Sequence, residues 1–475
     1  VGTTVVFYHH GDPARVFKRF EEHADIVSGA LQRRRLTAGD GSQADVRYAY
    51  RRAQGGRIFL GIASESVMRA VEDQRLLQTS RLRAVDVASR TLHLATSRYL
   101  NGREDQIFLQ LDEQIDFVSG SAIHQEITAP GGPPARVTVD YRYERSLGGN
   151  IFLGLDSEAT THVNDRLLDV SRLDPTRIDL ARQTVHRSVT FYYQGDIRQV
   201  FKQVEQDRDI ISGSLRAEQV TAGDGTIGVM THDYDRRQGG DIFLGLAWRM
   251  ALSVDGELTR ESVRARDAAG RPLVNLAERT MAMATTSYLN GDRNQVLRIT
   301  TDTLDYLAGG MRQQAMAALD GTVATTIFEH GYILNLFLGL SVRGTTGAEG
   351  PGVYGKQRFK TSTLTGLNLA ARTLRTSTIY ELGGQTLKTS EEDVDLISGS
   401  TIRQVSVLED GDPDPVRMLM ESTYRRADGG NIFLGLAGVA RSFEVDDLQP
   451  DRRGVLLTEG RLALHSDRSV VTQDL

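Results

Sequence analysis

Two short phrases recur five times along this chain, about 93 residues apart, and such a period constrains the fold more than any single residue can. One is Asp-x-aliphatic-Ser-Gly, at Asp25–Gly29, Asp116–Gly120, Asp209–Gly213 and Asp395–Gly399. A worn copy, Asp305-Tyr306-Leu307-Ala308-Gly309, fills the fourth place. The other is an Ile-Phe-Leu-Gly phrase, at Ile58–Gly61, Ile151–Gly154, Ile242–Gly245, Leu336–Gly339 and Ile432–Gly435. The first set steps by 91, 93, 96 and 90 residues, the second by 93, 91, 94 and 96. This is the signature of one supersecondary unit copied five times, not of a large enzyme with a single core.

The unit reads as strands. Val46, Tyr48 and Tyr50 alternate with charged or small residues, as do Val137, Val139, Tyr141 and Tyr143, and then Met418, Met420 and Tyr424. Alternation of β-branched and aromatic residues with period two marks a half-buried strand. Each run ends in paired glycines (Gly55-Gly56, Gly148-Gly149, Gly239-Gly240, Gly429-Gly430), after which the Ile-Phe-Leu-Gly run begins. Strand, glycine turn and apolar run together predict a β-hairpin. A third phrase, Asp86–Thr91 with partners Asp179–Thr184, Asn275–Thr280 and Asn368–Thr373, is read as a further strand. A Tyr-x-x-Gly follows each of these, and a weaker half-repeat of about 46 residues divides the unit.

The predicted fold class is therefore all-β: a tandem array of five β-sandwich or Greek-key-like repeats, with a closed, propeller-like ring as the alternative. The repeats fall at 1–91, 92–184, 185–280, 281–373 and 374–475, the fourth carrying a Gly-rich loop over 343–356. Phe59, Phe152, Phe243, Phe337 and Phe433 are expected in equivalent buried places, because recurrence at one phase suggests one core slot.

Composition bounds the chemistry. With no cysteine among 475 residues, disulfides, thiolate metal sites and thiol catalysis are excluded. A net charge of −6 argues against nucleic acid as a partner, and no apolar run is long enough to span a membrane as a helix. Only five of the 56 basic residues are lysines: Lys18, Lys202, Lys356, Lys360 and Lys388.

Several motifs invite a chemical reading. Gly350 to Lys356 spells G-x-x-x-x-G-K, but Gln357 stands where a phosphate loop needs Ser or Thr, and the setting is not strand-then-helix. Asp410, Asp412 and Asp414, with Glu421 beyond, have the offsets of a calcium loop, although Pro415 occupies the position of the turn glycine. They are the candidate metal ligands, calcium is the candidate cofactor, and an acidic hairpin tip is the plainer reading. The recurring serine lacks a nucleophile elbow and occurs in several copies, so fixing a local bend explains it better than catalysis. Histidines are scattered, without a metal-protease pattern. No catalytic residue is assigned.

The expected function is non-enzymatic: a structural or adhesive repeat protein, self-assembling, at the cell surface or in a filament, and extracellular. Its expected partner is itself, through the β-prone terminal strands Val5-Val6-Phe7-Tyr8 and Val470-Val471, in a closed ring or head to tail. A ligand-binding β module for a glycan or protein, with or without calcium, is the rival reading. A hydrolase with a loop-borne site is the third.

Overall fold

Alternating side chains lay down the strands. In the strand Val137–Arg142, Val137 is buried while Asp140 and Arg142 face water; in Val200–Asp209, Phe201, Val204, Gln206 and Asp209 are the buried positions. The computed structural model describes the backbone of residues 1–267, 272–318, 320–350, 353–408, 417–445, 455–463 and 472–474. Among the described residues the only α-helix is the six-residue Ile333–Leu338.

The chain forms two compact units. The first comprises Val1–Glu218, Thr231–Arg249 and Val274–Thr280; the second comprises Gln219–Met230, Met250–Leu273 and Met281–Leu475. In the first unit, every strand from Gly2–Tyr8 to Val200–Asp209 pairs antiparallel with the next one in sequence. The second unit repeats that order from Asp292–Asp305 to Thr472–Asp474. No described pairing joins the last of these strands to the first, so neither run closes on itself. The all-β tandem array is what the structure shows, and within neither unit do the described strands close into a barrel.

Within each unit, the sheet returns to lie against itself after two repeats. One set of bonds between successive passes links residues 164 to 173 apart in sequence. In the first unit, the Gly39 amide donates to Asp209 Oδ2 at 2.7 Å, Arg75 Nη2 to Asp241 Oδ2 at 3.0 Å, and Arg236 pairs with Glu72. The second unit repeats the pattern. The Gly223 amide meets Asp395 Oδ2 at 2.6 Å, and Arg426 reaches Asp255 at 3.1 Å and Glu257 at 2.7 Å. Between passes lies an apolar core of Ala222, Leu252, Val254, Tyr424, Ile432 and Phe433.

Four expectations are corrected. The Ile-Phe-Leu-Gly phrase is not a strand. Ile58–Leu60 and Ile151–Leu153 are single 3-10 turns, Ile242 and Ile432 begin turns, and the fourth copy is the short helix. Each ends at a left-handed glycine, and isolated bridges such as Asn150↔Leu155 and Asp241↔Leu246 close the loop. Asn150 Oδ1 accepts the amides of Phe152 and Leu153, a local bond that competes with a sheet ladder.

The Asp86–Thr91 phrase is a four-residue turn, because Arg90, Gln183, Arg279 and Arg372 all take left-handed φ between 53 and 57°. The Gly-rich segment is no free loop: Arg343–Gly350 pairs with the strand Val353–Asn368. Finally, the five phenylalanines are not equivalently buried. Phe59 is 75% and Phe152 54% exposed, whereas Phe243 and Phe433 are 7% and 5% exposed.

Candidate functional site

The Asp-x-x-Ser-Gly phrase is a self-contained turn. Asp25 Oδ1 accepts the Val27 amide at 3.0 Å, the Ser28 amide at 2.7 Å and Ser28 Oγ at 2.8 Å, and Gly29 sits at φ +72°. Asp116, Asp209 and Asp395 repeat this set. Hydrogen bonds from Ser28, amide first, hold the Asp25 carboxyl below its ordinary range. In the worn copy Ala308 supplies no hydroxyl, and Arg312 Nη2 instead donates to Asp305 Oδ2 at 2.6 Å. The serine hydroxyl is thus committed to its own aspartate and is not poised as a nucleophile.

The next residue ties the two phrases together. Ser121, Ser214 and Ser400 donate to the carbonyls of Ile151, Ile242 and Ile432. Beside this contact, a tyrosine at the end of each alternating strand caps a carbonyl. Tyr50 bonds Leu31 O at 2.7 Å, Tyr143 Ala122 O at 2.6 Å, Tyr234 Leu215 O at 2.5 Å and Tyr424 Thr401 O at 2.5 Å. In the fourth copy His330 takes that place, with Nε2 2.8 Å from Met311 O.

A polar pair recurs in all five copies, each time twelve residues apart: Arg34 with Glu22, Gln125 with Glu113, Gln206 with Glu218, Gln314 with Asp302, and Gln404 with Glu392. The third copy has the acid and the amide exchanged. Around Glu113 the bonds continue across strands, from Ser80 through Thr96 to Glu113 and through Gln125 to Tyr141.

The positions that differ in charge between copies lie on a transverse row of three. Seven residues before each motif aspartate stand Lys18, Leu109, Lys202, Arg298 and Lys388, so three of the five lysines share one phase. Cross-strand register completes the rows as Gln78↔Arg98↔Leu109, Asp169↔Phe191↔Lys202 and Lys360↔Tyr380↔Lys388. Arg260↔Ser287 is the corresponding pair in the copy whose phase residue is Arg298.

Four of the five lysines have an aromatic cushion. Lys202 lies 4.7 Å from the Phe191 ring, Lys360 and Lys388 lie 5.6 and 5.4 Å from Tyr380, and Lys18 lies 4.8 Å from Phe7. Burial, and then the Arg34 charge, lower Lys18 to about 8, and its Nζ donates to Leu153 O at 2.7 Å. Burial raises Asp169 to about 6, opposed by Arg208. No sequence motif marks this row; alignment of the lysines by phase would have found it.

Asp410, Asp412 and Asp414 lie outside the described residues, and so do Val470 and Val471. Glu421 lies in the strand Arg417–Thr423. The G-x-x-x-x-G-K run falls on a hairpin in which Gly350 pairs with Val353 and a strand follows, so the helix a phosphate loop requires is replaced by sheet. Among the described residues no cluster of histidine and carboxylate side chains has the arrangement of a metal site. Nor is any helix among them long and apolar enough to cross a membrane.

No protein-family model and no curated protein matches the chain. Among solved structures, it is similar to "Crystal Structure of TcdB2-TccC3-TEV" at 10% identity and TM-score 0.15, covering 94% of this chain and 24% of that one. It is also similar to "Structure of Photorhabdus luminescens Tc holotoxin pore, Mutation TccC3-D651A" at 10% identity and TM-score 0.17, covering 100% and 33%. The chain spans about a quarter to a third of the length of these structures, and at such TM-scores the likeness carries no argument.

Proposed function

We propose that this chain is a non-enzymatic structural protein that associates with further copies of itself, at a cell surface or in an extracellular assembly. The observation that carries this reading is the unequal cover of one recurring phrase. In the third and fifth copies it lies under an earlier pass of the sheet, whereas in the first copy Phe59 and Leu60 are 75% and 72% exposed. An apolar pair of that kind, with Ile26 and Val27 of the same repeat each 80% exposed, is a surface that association would bury. The recurring polar groups support the same reading, because they are engaged in turns, caps and pass-to-pass bonds and not gathered at one place around a reacting atom.

Sedimentation across a concentration series tests this. The native chain is expected to form oligomers that the double variant F59S/L60S does not form. A chain that stays monomeric at high concentration refutes association, and oligomers that persist in the variant refute this surface as their origin.

A further inference from the structure

We propose that the second unit holds a binding site for a tetrahedral oxyanion, phosphate or sulfate, between Arg260 and Arg298. The argument starts from the row of three. In the row centred on Arg98 the outer positions are Gln78 and Leu109, both neutral; in the row centred on Phe191 they are Asp169 and Lys202, opposite in sign. In the next, Arg260 and Arg298 hold the corresponding places. Where two lysines occupy the outer positions, the Tyr380 ring lies between them and faces both. Arg260 is paired with Ser287, which offers no ring, and Arg298, at the phase of Lys202 and Lys388, lines the same cavity as Arg260. Two like charges with nothing between them repel, and an anion in the gap reverses the sign of that interaction.

The space and the donors are present. Arg260 and Arg298 line a cavity of about 430 Å³ with Ser398, Ser422 and Tyr424, and no acidic residue lines it. Arg260 Nη2 is anchored to Phe433 O at 2.9 Å, which fixes the guanidinium, while its buried Nε has no hydrogen-bond partner. Arg298 is half-buried and makes no hydrogen bond or ion pair among the described residues. The nearby carboxylate is Asp302, which accepts from Gln314 Nε2 at 2.9 Å and lies outside the cavity lining. Adjacent strands are about 4.8 Å apart, so the outer positions of a row stand about 10 Å apart, a span that two arginine side chains close around one tetrahedral group.

The test is calorimetric titration of the full chain with inorganic phosphate and with inorganic sulfate, at ionic strength held constant with chloride. One equivalent is expected to bind, and the melting temperature is expected to rise with either anion by mass action. R298Q is expected to weaken binding roughly 10- to 100-fold, the loss of a charge-assisted donor pair. R298K, which keeps the charge without the fork, should fall between R298Q and the native chain. Because Arg298 makes no other described bond, both variants should keep the native circular dichroism. S287Y, which restores the ring of the lysine row, should also abolish binding. K388Q, at the same phase in the fifth copy, should leave it unchanged. Absence of binding by the native chain, equal binding by R298Q, or equal loss in K388Q overturns the site. Preference for a dicarboxylate over both anions overturns its tetrahedral assignment.

Discussion

The phrase around Phe59 and the phrase around Phe433 are nearly the same residues in nearly the same turn, yet one ring is 75% exposed and the other 5%. The Phe433 ring has Gly228 and Leu252 beneath it, supplied by chain two repeats earlier. A Cβ on Gly228 would stand 2.8 Å from that ring, so the covering strand is cut to fit. The phrase therefore encodes a local bend, and burial is added by whatever lies across it.

The sharpest way to break this comparison is to remove the rings one at a time. F433A and F243A should each cost ~3–5 kcal/mol in chemical denaturation, as deletions of buried aromatic side chains do. F59A should stay within about 0.5 kcal/mol, as surface changes do. Equal effects at the two sites would show that position in the repeat, and not cover, sets the contribution.

A smaller difference is expected at the motif aspartates. Asp209 and Asp395 bind their own turns through Oδ1 and an earlier hairpin tip through Oδ2, whereas Asp25 has only its own turn. D209A and D395A should each lose ~2–3 kcal/mol, the range for buried hydrogen bonds to a charged group. D25A should lose less, and melting curves of the three variants would rank them.

The smallest expected effect concerns Asp169, at the same row position as Arg260. Its carboxyl, raised to about 6 chiefly by burial, binds a proton more tightly in the folded than in the unfolded chain. Stability therefore falls as pH rises from about 4 to about 6, and the cost is fully present above that window. D169N should stabilise the protein at neutral pH by on the order of 2 kcal/mol and make no difference in acid. A gain that is the same at both pH values would assign the effect to packing instead.

The sequence made the period, the strand class and the aspartate turn legible, because each depends on residues close together. The same holds for the glycines at positive φ, such as Gly29 and Gly61. The Ile-Phe-Leu-Gly run was misread for a physical reason: four apolar residues suit a buried strand or a tight turn equally, and periodicity cannot separate them. The distinguishing signal was the Asn or Asp just before it, at Asn150, Asp241 and Asn431, whose side chains accept the amides two and three residues on. Cover by a segment some 170 residues away leaves no local trace, so the exposure of Phe59 and Phe152 could not be read. The arginine row was hidden for a related reason. Arg260 and Arg298 belong to different strands, and their convergence on one cavity emerges only from the fold.

The exchanged pair in the third copy has a consequence for how such a chain can be recombined. Repeats this similar invite crossing-over between copies, by nature or by an engineer. A junction placed between Gln206 and Glu218 that joins the third copy to the second would leave Gln206 facing Gln125. The reciprocal product would set Glu113 against Glu218, two carboxylates where each had an amide donor. The first product keeps a hydrogen bond and the second gains a repulsion, so the two products of one exchange differ in viability. Hybrid repeats should therefore be cut in the turns outside this hairpin, where either parent's partner travels with its own mate.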